Sequence, residues 1–179
     1  MDETINPTER RLHLYQDVDK EAFESLVYHI LRYNRTDRGK SVEERKPILL
    51  YINSLGGNIS DAFGVIDVIL QSKTPVYTVN QGVCGSVAFL VFLAGQRRFT
   101  MEHSQFSSGF SIDSTVKTKE RLEFEANKLD KMTRKYILDR TDISEDLYEK
   151  RCRTEWYFLS DEAKDLGVAT DIVCDIDMI

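Results

Sequence analysis

The sequence predicts an α/β fold built on a mainly parallel sheet, and three observations predict it. Continuous apolar runs, "PILLYIN" at Pro47–Asn53 and "PVYTVN" at Pro75–Asn80, have the pattern of strands buried on both faces. Between them, Ile59–Leu70 repeats apolar residues at helical spacing. The resulting order of strand, helix, strand, helix and strand implies right-handed crossovers and a layered architecture.

Each element has its own reason. "RLHLYQ" reads as a short first strand, and the helix after it carries Ala22, Leu26, His29 or Ile30, and Tyr33 at helical intervals. "RTDRGKSVEERK" is charged, contains Gly39 and reads as a loop. Ile59–Leu70 turns Ala62, Val65, Ile66 and Ile69 to one side, with Ser60 and Asp61 as candidate caps. Ser86–Leu93 is a second apolar helix, and "RRFTM" is a strand that ends before His103. A charged helix from Lys117 to about Arg140 has a narrow apolar stripe at Leu122, Ala126, Leu129 and Tyr136. "SDEAKDLGVATDIV" closes the chain as a helix, a stop at Gly167 and a strand.

The chain has 179 residues and shows no linker or internal repeat, so it reads as one domain, 1–179, with a short tail at 1–10. Its net charge of −6 argues against nucleic acid or an anionic membrane as the main partner. Arg97 and Arg98 form a basic pair that reads as a solvated turn. Cys84, Cys152 and Cys174 are odd in number and far apart, which fits reduced thiols and neither a disulfide framework nor a metal site. No segment has the pattern of a signal peptide or a membrane span, and the expected location is the cytoplasm.

Chemistry in such folds gathers where strands end and helices begin. Gly56 and Gly57 follow one strand; Ser86 follows the next through Gly82 and Gly85. Ser86 can be a helix cap, a packed hydroxyl or a nucleophile. In the last case the backbone N–H groups of Gly57 and Val87 could hold the oxyanion of a tetrahedral intermediate.

Three segments, "YINSLGGNISDAFGVIDVIL", "GVCGSVAFLVFLAG" and "WYFLSDEAKDLGVATDIV", resemble the proteolytic subunit of Clp protease, the ClpP family. The family's segments read SPGG, then GxxxSM before a small apolar helix, then S/T-A-x-E-A-x-x-x-G. The 29 positions from Gly57 to Ser86 also fit, and the resemblance runs from about Arg11 to Val173. It implies a ClpP/crotonase-like head of repeated β-β-α and βαβ units with Lys117–Arg140 projecting as a handle. It also implies Ser86 as nucleophile and Gly57 and Val87 as oxyanion donors.

The sequence departs from the family at the other two triad positions. The family's general base is a histidine in a pattern like S-x-x-x-I/M-H; aligned on Ser104, that position is Gly109. His103 lies six positions upstream, and His13 and His29 fall in the first strand and helix. The family's aspartate falls on Trp156, or on Glu155 if the register slips by one. Leu55 replaces the proline of SPGG, and the N-terminal segment is shorter than is usual, which bears on coupling to an ATPase.

The resemblance therefore implies a Clp-type serine endopeptidase subunit of an oligomeric chamber, without its base. A catalytically inactive ring or scaffold subunit is the alternative. A crotonase-type acyl-CoA enzyme is a third reading, for which no carboxylate stands at an obvious acid/base position. No cofactor or metal is implied. The implied partners are unfolded polypeptide or peptide substrates, further copies of the chain or active paralogues in stacked rings, and an AAA+ unfoldase.

Overall fold

The structure is a computed structural model that describes residues 9–109, 119–151 and 156–179. Five parallel strands form the body of the sheet: β1 (Arg11–Leu14), β2 (Ile48–Ser54), β3 (Val76–Gly85), β4 (Arg97–Met101) and β7 (Asp171–Val173), in that order. β5 (Gln105–Ser107) pairs parallel with the end of β3, and β6 (Tyr157–Leu159) pairs antiparallel with β5. The predicted α/β class with a mainly parallel sheet is the observed one.

Alternation along the strands assigns their two faces. Leu50, Ile52 and Val76 turn toward the helices, while Tyr51, Val79, Phe99 and Val173 form a smaller cluster on the other face with Ile179. α1 (Lys20–Thr36) buries Ala22, Leu26, Ile30 and Tyr33, which selects Ile30 over His29 for the stripe. α2 (Ile59–Gln71) packs against α1 through the expected Ala62, Val65, Ile66 and Ile69. Its cap is Asn58, whose side chain accepts from the N–H groups of Ser60 and Asp61 at 2.8 and 3.1 Å. The expected caps are thus the donors in the turn, because Asn58 is the last extended residue.

α3 (Ser86–Leu93) is apolar on every side, and Val87–Leu93 are all buried, as required of a helix enclosed by sheet and helices. α4 (Lys119–Arg140) seats its last turns on it. Ile137 is buried, Tyr136 Oη donates to Leu90 O at 3.1 Å, and Arg140 Nε donates to Leu93 O at 3.0 Å. A guanidinium on the last carbonyls of α3 also suits that helix's dipole. Lys117 and the side chains of Leu122 and Ala126, named in the expected stripe, lie outside the described residues. α5 (Glu145–Arg151) buries Tyr148, with Arg134 bonded to Glu149 at 3.2 Å. α6 (Ser160–Asp165) precedes β7.

Two charged segments behave differently from their sequence reading. Arg97 and Arg98 lie in β4, not in a turn: Arg97 pairs with Asp171 at 3.1 Å, and Arg98 donates to Val168 O and Gly167 O at 2.7 and 2.9 Å. The loop after α1 hides a carboxylate. Asp37 is fully buried, bonded by both Arg10 Nη1 and Nη2, the second at 2.8 Å, by Lys40 Nζ at 3.0 Å and by Thr74 Oγ1 at 3.1 Å. The hydrogen bonds from Arg10 hold its carboxyl well below the usual range against the opposing effect of burial. This cluster ties the chain ahead of β1 to the end of α1 and to the turn before β3.

Cys84 is buried and Cys174 exposed, both as free thiols; Cys152 lies outside the described residues. Among the described residues no helix is long and apolar enough to cross a membrane.

Candidate active site

The site begins with a kink in β3. Its pairing with β2 runs regularly to Ile52 with Asn80 and resumes at Ser54 with Cys84, so β3 advances two residues more than its partner. Asn80 Oδ1 accepts from Gly82 N and Asn53 Oδ1 from Val83 N, each at 3.1 Å, which fixes the excursion. Beyond it β3 leaves β4 and takes β5 as neighbour. The kink carries Gly85 and Ser86 out to the ends of β2 and β5.

Ser86 opens α3 with φ of +48°, the one positive φ at a non-glycine among the described residues. A left-handed serine stores about 1–3 kcal/mol of strain and persists only where its surroundings enforce it. Gly85, not Ser86, is the cap residue, and no side chain caps this helix start. The cap reading therefore does not hold for Ser86, whose hydroxyl is left for other chemistry. Ser86 is half-buried while the seven residues after it are buried. The N–H of Val87 lies in the first turn, where no intrahelical acceptor exists.

The glycine pair lies against this serine. Val18 N donates to Gly56 O at 2.7 Å and Asn58 N to Val18 O at 2.6 Å, so Gly57 forms a parallel bridge to Val18. In such a bridge the N–H of the central residue points away from the partner strand. Gly57 has φ of +144°, and a Cβ there would lie 2.5 Å from Val18 O. At Gly56, with φ of +123°, a Cβ would lie 2.8 Å from the Ser86 Cβ. Gly56 is thus the contact that lets the loop meet the serine, a role beyond the turn read from the sequence. The doublet carried the signal, but which glycine touches Ser86 depends on the β3 kink.

The third wall is the end of β5. Ser107 pairs with Gly85, and its Oγ lies 3.2 Å from where a Gly85 Cβ would stand. Ser108 N donates to Trp156 O at 3.1 Å, and the buried Ser108 Oγ has no hydrogen-bond partner among the described residues. Gly109, half-buried, comes next. The structure thus brings Gly56, Ser86 and Ser107 together where β2, β3 and β5 end, with Gly57, Val87 and Gly109 close by along the chain.

None of the histidines joins them. His103 is exposed in the turn before β5, at the end opposite Gly109. His13 stacks on Tyr51 with ring centres 5.6 Å apart, and His29 Nδ1 lies 2.8 Å from Ser25 O within α1. Trp156 is buried, 5.0 Å from the Phe158 ring, and its carbonyl accepts from Ser108 N. Glu155 lies outside the described residues.

The α/β fold thus sets a strained, uncapped serine between a sheet end and an apolar helix, against a glycine loop. The model of the family described as Clp protease matches residues 6–175, and the chain belongs to that family. It is 28% identical over 168 residues to ATP-dependent Clp protease proteolytic subunit 2 of Treponema denticola, covering 91% of this chain and 81% of that one. It is 28% identical over 171 residues to proteolytic subunit 3 of Parasynechococcus marenigrum, covering 92% and 82%. Among solved structures, the N165D mutant of ClpP1 from Listeria monocytogenes superposes with a TM-score of 0.80 at 22% identity, covering 95% of this chain and 94% of that one. The ClpP catalytic domain from Plasmodium falciparum gives 0.77 at 21%, covering 94% and 87%. These likenesses establish the fold.

Proposed function

We propose that this chain is a proteolytic-type Clp subunit that seats extended peptide at Ser86 and walls an oligomeric chamber, but hydrolyses slowly by itself because the position of the family's base is Gly109. One observation supports the reading: Ser86 is strained, uncapped and half-buried against Gly56, while position 109 has no side chain. Attack by Ser86 on a peptide carbonyl would form the C–O bond, with the negative charge on the carbonyl oxygen directed to the N–H groups of Gly57 and Val87. With glycine at position 109, the proton leaving Oγ passes to water. A fluorophosphonate probe tests this: Ser86 is expected to label about 10²–10⁴-fold more slowly than the serine of an intact triad, the usual contribution of general base catalysis. Labelling of Ser86 at an intact triad's rate would sink the proposal.

The same reading makes the substrate an unfolded polypeptide or peptide, delivered by an AAA+ unfoldase in the cytoplasm. The ring would contain further copies of this chain or active paralogues; the numbered subunit names of the relatives support the mixed assembly. α4 is the element proposed to meet a partner subunit: its last turns are seated on the head through Ile137 and Tyr136, and the resemblance makes it the handle. Leu122→Lys combined with Leu129→Lys is expected to dissociate the oligomer while leaving the unfolding transition of the head in place. Size exclusion with light scattering reads the first effect and circular dichroism the second. An unchanged oligomer gives α4 another role.

A further inference from the structure

The ends of α1 and α2 and the loops that follow them enclose a groove of about 590 Å³, away from Ser86. That is within the range of roughly 300–1,000 Å³ common to ligand clefts. Arg35, Arg38, Arg45 and Lys73 line it, with Leu31 and Val68 as apolar surface and no Asp or Glu. The chain as a whole has 30 acidic and 24 basic residues, so the groove runs against the charge of the molecule. Arg45 is held in place by Lys40 O at 3.2 Å. Arg35, Arg38 and Lys73 are exposed and form no ion pair among the described residues. Helix-end electrostatics accounts for one of the four, Arg35 in the last turn of α1. α2 has no basic residue in its last turn, and Arg38, Arg45 and Lys73 belong to loops.

We infer that this groove docks an acidic peptide segment of a partner protein, with carboxylates on Arg35, Arg38 and Lys73 and an apolar side chain on Leu31 and Val68. Guanidinium forks suit carboxylates in paired geometry. Leu31, 54% exposed, selects a peptide over a small inorganic anion, which would leave that apolar surface in water. The inference does not depend on activity at Ser86.

Fluorescence anisotropy with a labelled peptide of glutamate and leucine, on the assembled full-length protein, provides the test. Saturable binding is expected. It should weaken about tenfold or more in Arg35→Glu with Arg38→Glu, and fall as salt shortens the screening length from ~10 Å at 0.1 M. Both side chains are exposed, so the fold should hold; Lys73→Glu alone serves as a second variant. No binding, equal binding by the variants, or equal binding of a lysine–leucine peptide would overturn the inference. Saturable binding of inorganic phosphate without binding of the peptide would overturn it in favour of a small-anion site.

Discussion

Peptide hydrolysis is expected to rise about 10²–10⁴-fold when Gly109→His is introduced, the range that a positioned general base contributes. The position follows Ser107 and Ser108 off β5, and Ser107 is the pairing partner of the residue that precedes Ser86. On the proposed reading Ser86 and the Gly57 and Val87 N–H groups form the rest of the site on the strained helix start, so an imidazole would supply the missing proton acceptor. The gain should vanish in Gly109→His combined with Ser86→Ala. A single variant that assembles normally yet stays at the parent's rate would place the deeper defect in a collapsed cleft or at the acid position, read as Trp156 or Glu155. A parent that already cleaves through Ser86 at ordinary protease rates would remove position 109 from the mechanism.

The second large effect concerns stability. Asp37→Ala is expected to destabilise the fold by about 3–5 kcal/mol, the usual result of breaking a buried pair and stranding its partner. Arg10 would keep its place over the Tyr33 ring, 5.2 Å from the centroid, with no carboxylate opposite. The sign with pH follows from the depressed carboxyl of Asp37. Its contribution is complete above the unfolded carboxyl's value of about 3.9 and declines as pH falls from there toward the lower folded value. Acid unfolding of Asp37→Asn should therefore lose part of its steepness in that window. Chemical denaturation at neutral and acid pH measures both effects, and a variant within about 1 kcal/mol of the parent, the range of an exposed pair, would show that the cluster is not a staple.

Long periodic elements were legible because burial on one side dictates residue spacing. The stripes of α1 and α2 agree with the observed faces residue by residue, and α3 has its expected bounds. The missed elements are short or depend on distant partners. β5 is Gln-Phe-Ser and β6 is Tyr-Phe-Leu, three residues each, strands only because they pair with β3 and with one another. The polar Asn80-Gln81-Gly82 looked like the end of β3, yet the strand continues through it by borrowing acceptors from Asn53 and Asn80. Asp37 sits in a charged stretch that reads as a solvated loop; only the long-range approach of Arg10 and Thr74 explains its burial. At the site, the residue types and the 29-position spacing from Gly57 to Ser86 could be read in one dimension. The left-handed backbone at Ser86 and its contact with Gly56 could not, since both arise where separate strands meet.

Enclosure of α3 on every side also sets the motion available to the serine. Backbone amides in such a helix exchange with solvent mainly through global unfolding, because no smaller opening exposes them. Ser86 is therefore mounted on an enclosed helix, while its glycine loop is held by backbone bonds to Val18 and by Gly56 N on Ser54 Oγ at 3.2 Å. Fluctuation at the site then belongs to the loop and not to the nucleophile. On the proposed reading, binding a peptide would order the glycine-loop side of the cleft and leave the serine side as it was.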